Sequence, residues 1–176
     1  MIVRRWSNSR IHRPSRSPTR WPRCPSASCW GCRGGSWPEL RRRGIIRSGN
    51  APAGDYAELL VQRASGGELA ANAQKSWDVE TSAGEHLQAK ARVVTNPKTA
   101  GERQLSVFRS WNFDAAVIVL FDDEFRVWRA SRVVVTVLEE AARFIDHVSG
   151  YRVMATDALL DRGEDWTERL RAAAAF

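Results

Sequence analysis

The chain has 176 residues, of which 43% are hydrophobic, which suits one domain with a true core. No apolar run approaches the ~18 residues of a membrane span, so we expect no transmembrane segment. The net charge of +7 suggests a nucleic-acid partner, but residues 1–43 alone carry eleven arginines and one acid, or +10. Residues 44–176 then hold 16 basic and 19 acidic side chains, or −3. The body would therefore bind a polyanion through a local site and not through its overall charge.

Residues 1–43 have the composition of a disordered segment. They contain five of the seven prolines, four of the eight tryptophans and many arginines, with no helical or alternating period. We expect them to be disordered. An excess of Arg, Pro, Trp, Cys and Ser is also typical of a GC-rich sequence read upstream of its true start, so a spurious extension is an equal interpretation. An organellar transit peptide is a further alternative, whereas no apolar stretch of a secretory signal follows Arg4 and Arg5.

All three cysteines lie in this arginine-rich segment. The spacing of Cys24, Cys29 and Cys32 is similar to that of an iron–sulfur ligand set, but the chain has no fourth cysteine. Residues 44–176 contain no cysteine and so need no disulfide, which favours a reducing, cytoplasmic location.

The first element of the body is a predicted helix. Ile45 and Ile46 precede a Gly- and Pro-containing loop, and residues 55–64 then place apolar side chains at 56, 57, 60, 61 and 64. This spacing puts them on one helical face, with Asp55 near the positive end of the helix. Glu58 lies at the edge of that face. Ser65 to Gly67 end the helix.

Residues 77–94 predict a β-hairpin. A short strand carries Asp78, residues 81–84 form a turn, and the following residues alternate with a period of two. Gln88 and Lys90 therefore point the same way, across the turn from Asp78. Such a geometry can hold a divalent cation beside a fixed ammonium group. The apolar face is Leu87, Ala89, Ala91 and Val93, and the polar face is His86, Gln88, Lys90 and Arg92.

The rest of the chain supplies the centre of a sheet and further helices. Residues 115–121 are a continuous apolar run, which predicts a strand buried on both faces. An acidic turn at 122–124 leads into a second hairpin strand over 125–130. A helix is expected from Ser131 to about Phe144, although the valines at 133–135 favour a strand. We expect an edge strand at 151–153 and one or two helices over 157–175, broken at Gly163. The predicted fold class is α/β or α+β, a three-layer sandwich around a mixed sheet of four or five strands.

Glu58 on the helix, Asp78 on the first strand and Gln88-Ala89-Lys90 on the second resemble the core of the PD-(D/E)xK, or restriction endonuclease-like, superfamily. The sequence from Leu59 to Arg92 is also similar to a bacterial domain family with the QxK variant. The resemblance covers roughly 54–161. It implies a Mg²⁺- or Mn²⁺-dependent nuclease acting on DNA, with a restriction endonuclease-like sandwich over 44–176.

The resemblance also implies a role for each residue. Asp78, Gln88 and Glu58 would hold the metal, and Lys90 would orient the attacking water and stabilise the phosphate. This chain departs from the pattern in two ways: no proline precedes Asp78, and Gln88 replaces a carboxylate. Because an amide oxygen is neutral, the metal should bind more weakly. His86 and Arg92 share the polar face and are candidate nucleic-acid contacts.

Two other functions remain open from the sequence. The same fold with a weak metal site would be a module that binds nucleic acid or a protein partner, and the hairpin would otherwise be only a scaffold. Asp78 would then cap its turn, and the polar row would be solvated. Asp114 is either a second acid near the site or a cap of the following strand, and Asp122 to Glu124 are most simply a turn. The buried strand suits either a monomer or a homodimer.

Overall fold

The computed structural model of this chain describes residues 42–45, 52–71, 76–95 and 100–175. The segment expected to be disordered, residues 1–43, lies outside the described residues except for Arg42 and Arg43. The three cysteines also lie outside the described residues. Ile45 is buried in the core. No helix in the described ranges combines the length and the apolar character needed to cross a bilayer.

A six-stranded mixed sheet organises the described chain. Its order is β1-β2-β3-β4-β5-β8, and only the pairing of β3 with β4 is parallel. Two extra strands, β6 and β7, form a separate antiparallel ribbon. The strands are β1 Glu68–Leu69, β2 Val79–Glu80, β3 His86–Val93, β4 Ala115–Phe121, β5 Val127–Val134, β6 Arg143–Ile145, β7 Gly150–Arg152 and β8 Glu164–Asp165.

The central position of β4 follows from its sequence. All seven of its residues are apolar and completely buried, as the continuous run predicts. Residues 115, 117, 119 and 121 enter one core cluster, and residues 116, 118 and 120 enter a second cluster on the opposite face. The sheet is therefore covered on both sides.

Helices cover the first face of the sheet. Helix α1, Pro52–Ser65, buries Tyr56, Ala57, Leu60 and Val61, so the predicted helix is confirmed and begins three residues earlier. The C-terminal helix α4, Thr167–Ala174, packs beside it through Leu170. The second face is covered by the short helices α2, Val135–Ala141, and α3, Asp157–Leu160, and by irregular chain.

One predicted boundary after residue 130 is wrong, and two further predictions are confirmed in part. The helix expected from Ser131 begins only at Val135, because the β-branched residues before it extend β5 as far as Val134. The strand expected at 151–153 is β7, which belongs to the separate ribbon. The pair of helices expected over 157–175, broken at Gly163, is confirmed as α3 and α4. The chain between them also contains β8, which pairs with β5 through Ser131 and Arg132 and forms the sheet edge.

The predicted fold class is confirmed at the level of a mixed α+β sheet with helices on it. The sheet has six strands instead of four or five because the two-residue strands β1 and β8 extend its edges. These short strands have no alternation long enough to reveal them.

The connection from β3 to β4 positions the candidate site. Parallel neighbours require a long crossover, and here it spans residues 94–114. It contains a 3₁₀ helix, Ala100–Arg103, and an irregular stretch that bridges to β7 through Phe108 and Tyr151. Leu105 and Phe108 anchor this stretch in the second core cluster. We call residues 104–108 the covering segment, because they lie over the polar face of β3.

Candidate active site

The β2–β3 hairpin brings Asp78 opposite Gln88. Val79 pairs with Leu87, and the N–H of Asp78 donates to the carbonyl of Leu87 at 2.9 Å. The Oδ2 atom of Asp78 accepts hydrogen bonds from the side-chain amide of Gln88 and, at 2.7 Å, from the backbone N–H of Ala89. The carboxylate thus contacts β3 just where β2 stops pairing with it.

A cavity of about 520 Å³ lies beside the outer edge of β3, the edge opposite β4. Within the described ranges, β2 pairs with β3 only at His86 and Leu87, so the outer edge of β3 from Gln88 onward borders this cavity. Its walls come from the first turns of α1, from Asp78 and β3, from the covering segment and from the β4–β5 turn. The lining residues are Pro52, Ala53, Gly54, Glu58, Asp78, Gln88, Ala89, Lys90, Ala91, Arg92, Val93, Ser106 and Phe125.

Lys90 occupies a desolvated position in this cavity. Its ammonium donates to the carbonyl of Val107 at 3.4 Å and lies 4.8 Å from the centre of the Phe108 ring. Burial lowers the pKa of Lys90, while the negative charges of Asp78 and Glu58 act in the opposite direction. These two carboxylates are therefore close enough to act on the same ammonium group.

Glu58 reaches the cavity from α1, which packs against β3 on the first face of the sheet. Its position at the edge of the buried helical face agrees with the predicted one. Four sequence-predicted residues, Glu58, Asp78, Gln88 and Lys90, thus line one cavity.

Of the two residues predicted to contact nucleic acid, only Arg92 lies at the cavity. Arg92 lines the cavity, and its Nε donates to the carbonyl of Gln104 in the covering segment. His86 is not among the lining residues, and its ring stacks on Trp77 with centroids 3.9 Å apart. The N–H of His86 donates to Asp114 at 2.8 Å, so Asp114 links the starts of β3 and β4. This contact agrees with the strand-capping interpretation of Asp114.

The structure adds site residues that the sequence pattern did not indicate. Ser106 and the carbonyl of Val107 belong to the covering segment, which has no periodicity to predict its path. Phe125 lies in the β4–β5 turn and not in the strand predicted over 125–130, since β5 begins at Val127. Its only sequence signal is an aromatic residue directly after an acidic turn.

The other sequence interpretations near the site concern packing. Asp122 accepts hydrogen bonds from the N–H groups of Glu124 and Arg126, both at 2.9 Å, so the acidic run forms a turn as expected. Trp77, Trp111 and Trp128 pack against the second core cluster.

The donor set can be compared with the needs of a divalent cation. Within the described part of the chain, no group of three His, Cys, Asp or Glu side chains is arranged to hold a metal. The cavity instead offers two carboxylates and one side-chain amide. Mg²⁺ commonly takes one or two carboxylates and keeps several waters, so these donors fit it. The amide of Gln88 would have to rotate, because its nitrogen now faces Asp78.

No protein-family model matches this sequence, and no curated protein matches it significantly.

Proposed function

We propose that this chain is a divalent-metal-dependent nuclease that hydrolyses phosphodiester bonds in DNA. The observation that carries the proposal is the convergence of Glu58, Asp78, Gln88 and Lys90 on one cavity at the open edge of β3. Acids that bind a hard cation, next to a desolvated ammonium group, are what hydrolysis of a phosphate diester needs.

Each side chain has a distinct task in this reaction. Asp78 and Glu58 would supply the negative charge that holds a metal, and Gln88, after rotation of its amide, would add a neutral oxygen. Bound Mg²⁺ would polarise the phosphate and lower the pKa of a bound water. Lys90 donates hydrogen bonds to the phosphate oxygens as charge develops on them, in a site where burial strengthens the interaction. Arg92 holds the adjoining backbone phosphate.

A second function is a module of the same fold that binds an anion without cleaving it. The hydrogen bonds of Asp78 to Gln88 and Ala89 favour it, because they give this carboxylate a structural role without metal. Lys90 and Arg92 would then bind the nucleic-acid backbone on their own.

Titration with Mg²⁺ and Mn²⁺ separates the two functions. Purified protein is incubated with supercoiled plasmid DNA, and nicked product is followed with increasing metal and again after chelation. The nuclease proposal predicts metal-dependent nicking that Asp78→Asn and Lys90→Met both abolish. The module predicts metal-independent binding with no product.

A matched control guards against contaminating nuclease. Arg162→Met removes an exposed cation that pairs with Glu140 away from the cavity, and it should leave nicking unchanged. Nicking that survives Asp78→Asn and Lys90→Met in equal amount would refute the proposal.

A further inference from the structure

The β6–β7 ribbon places two arginines directly opposite each other. Arg143 pairs with Arg152, and the neighbouring pair is Phe144 with Tyr151. Tyr151 exchanges both of its backbone hydrogen bonds with Phe108, each at 2.8 Å, so it exchanges none with Phe144. The backbone hydrogen bonds of the ribbon therefore join Arg143 to Arg152. This arrangement brings their Cα atoms to about 5.5 Å and puts both side chains on the same face.

The aromatic pair shows which face these two arginines occupy. The Tyr151 ring lies 5.1 Å from the Phe144 ring and 5.1 Å from the Trp111 ring. Tyr151 and Trp111 both pack against the second core cluster. Because successive side chains of a strand point to opposite faces, Arg143 and Arg152 lie on the face of the ribbon turned away from that cluster. Arg143 is exposed and Arg152 is half-buried.

The described part of the chain supplies no counter-charge for this pair. None of its carboxylates forms an ion pair with Arg143 or Arg152, including those of Glu139 and Asp146, which are close in sequence. The Nε of Arg152 is buried and meets no acceptor among the described residues. Like charges opposite each other destabilise a ribbon, and so does a buried donor without a partner. Such departures from local rules are expected where a surface serves binding.

The ribbon adjoins the candidate active site through the covering segment. The carbonyl of Val107 accepts from Lys90 at 3.4 Å, and the next residue, Phe108, exchanges backbone hydrogen bonds with β7. Neighbouring strands lie about 4.8 Å apart, so β6 is about 10 Å from the covering segment. The exposed Arg109 follows Phe108 and donates to the carbonyl of Val148, in the turn that joins β6 to β7, at 3.4 Å. It adds a third positive charge at the ribbon.

We propose that Arg143 and Arg152, together with Arg109, bind the phosphate backbone of nucleic acid as a second contact outside the cavity. This inference rests on the proposed function only in taking nucleic acid as the partner, and it does not require cleavage. A guanidinium binds phosphate oxygens through paired hydrogen bonds, and a bound phosphate neutralises the two like charges. One strand advances about 3.4 Å per nucleotide along the duplex axis, so the ribbon lies a few nucleotides from a phosphate at Lys90.

The salt dependence of DNA binding tests this contact. Dissociation constants of the full chain for a short labelled duplex are measured by fluorescence anisotropy, with a chelator to keep the DNA intact. Arg143→Gln/Arg152→Gln should reduce the slope of log K against log salt by about two, and Arg109→Gln by about one. The advantage of the wild type over the double variant should then be roughly tenfold larger at 50 mM than at 200 mM salt.

A matched control removes two other exposed cations. Arg162→Gln/Arg169→Gln makes the same change in net charge, but these arginines pair with Glu140 and Glu164. It should leave the slope unchanged. An equal loss of slope in this control would show that only overall charge matters and would overturn the proposal.

A packing role for the two arginines predicts different results. Arg143→Gln relieves the repulsion, so its Tm should be no lower than that of the wild type. Arg143→Lys/Arg152→Lys keeps both charges without the planar donors, and it should keep the wild-type slope while binding more weakly. A packing role would lower the Tm of the Gln and Lys variants alike and leave the slope of the folded protein unchanged.

The remaining outcomes separate this contact from the nuclease proposal. If the slope of Arg143→Gln/Arg152→Gln equals that of the wild type, the contact is wrong, and metal-dependent nicking still decides the nuclease proposal. If the wild type does not nick DNA but the double variant loses slope, the contact stands and the nuclease fails. If the two arginines are needed to bind phosphatidylserine vesicles and not DNA, the surface serves a membrane and the inference is wrong.

Discussion

Arg103, on the crossover between β3 and β4, and Lys90, on β3, differ in burial and in surroundings: Arg103 is buried, whereas Lys90 is half-buried. Arg103 ends the 3₁₀ helix with its side chain 9% exposed, lies 5.2 Å from the Trp128 ring and donates to Asp157 at 2.9 Å. Lys90 also lies over a ring and donates to a carbonyl, but Asp78 and Glu58 act on it only through space.

We propose that the difference reflects a structural role for Arg103 and a binding role for Lys90. Asp157 also pairs with Arg129 at 2.7 Å, and Arg129 contacts Asp161, so the Arg103 cluster carries its own counter-charges. It ties the crossover to α3 and β5. Lys90 is beside a cavity with room for an anion, and among the described residues no carboxylate pairs directly with its desolvated ammonium. The following predictions test this contrast, beginning with the largest effect.

Lys90→Met should reduce metal-dependent nicking by about 100-fold or more, because it removes a donor to the developing phosphate charge. Arg103→Met should reduce it less than tenfold in protein that remains folded. Rates are compared on plasmid DNA at saturating metal. Equal losses in the two variants would mean that both cations act only through the fold.

Arg103→Met should lower the free energy of unfolding by about 1–3 kcal/mol. This lies below the range for breaking a fully buried pair, since Asp157 is 60% exposed and stays hydrated. Urea denaturation measures the change. The control Arg162→Met, whose pair with Glu140 is exposed on both sides, should lose under about 1 kcal/mol. A loss at Arg103 no larger than this control would contradict a structural role.

Gln88→Glu should make stability depend on metal. The new carboxylate cannot donate to Asp78 and repels it, which should lower the free energy of unfolding by about 1–2 kcal/mol without metal. Mg²⁺ should restore this loss, because it neutralises the two acids. Thermal denaturation with and without Mg²⁺ measures both effects. A Tm unaffected by Mg²⁺ would argue against a cation beside Asp78.

Lys90→Met should raise the free energy of unfolding by roughly 1 kcal/mol at pH 7, since an apolar chain replaces a desolvated cation. Burial lowers the pKa of Lys90 below its ordinary 10.5, so the unfolded chain binds more protons between these values. Wild-type stability therefore rises with pH through that window, and the advantage of the variant should shrink there. Urea curves at several pH values from 7 to 10.5 test it, and a constant difference would be the contrary result.

Asp157→Asn should produce the smallest effect, under about 1 kcal/mol near neutral pH, because the carboxylate is exposed. The hydrogen bond from Arg103 holds the pKa of Asp157 below its ordinary 3.8. Its contribution is present above 3.8 and is lost as pH falls through the folded pKa. The variant should therefore lose less stability than the wild type between pH 5 and acid denaturation.

The elements that the sequence predicted well are those whose hydrophobic pattern extends over many residues. Helix α1 and strands β3 and β4 each repeat their pattern over seven residues or more, so one face or both faces must be buried. The same alternation put Gln88 and Lys90 on one side, and the turn put Asp78 opposite them. Three residues that line the cavity could thus be predicted from local patterns, and the resemblance to the nuclease superfamily added Glu58.

The remaining features depend on contacts that are distant in sequence. Strand β8 has two residues and exists because Gly163 allows close approach to β5, where a Cβ would meet the Ser131 hydroxyl at 2.4 Å. The path of the covering segment is set by the packing of Leu105 and Phe108 in the second core cluster and not by a local sequence pattern. Phe125 was placed in a strand because the sequence does not reveal a positive φ at a non-glycine residue.

The short pairing between β2 and β3 also bears on how this protein behaves at high concentration. An unpaired strand edge presents N–H and C=O groups to which another polypeptide can add. Asp78 limits this risk at Ala89, because its carboxylate accepts a hydrogen bond from the Ala89 N–H. The positive charges of Lys90 and Arg92 oppose pairing of this edge with a second copy of the chain. Variants that neutralise this edge to abolish nicking should therefore be checked for aggregation.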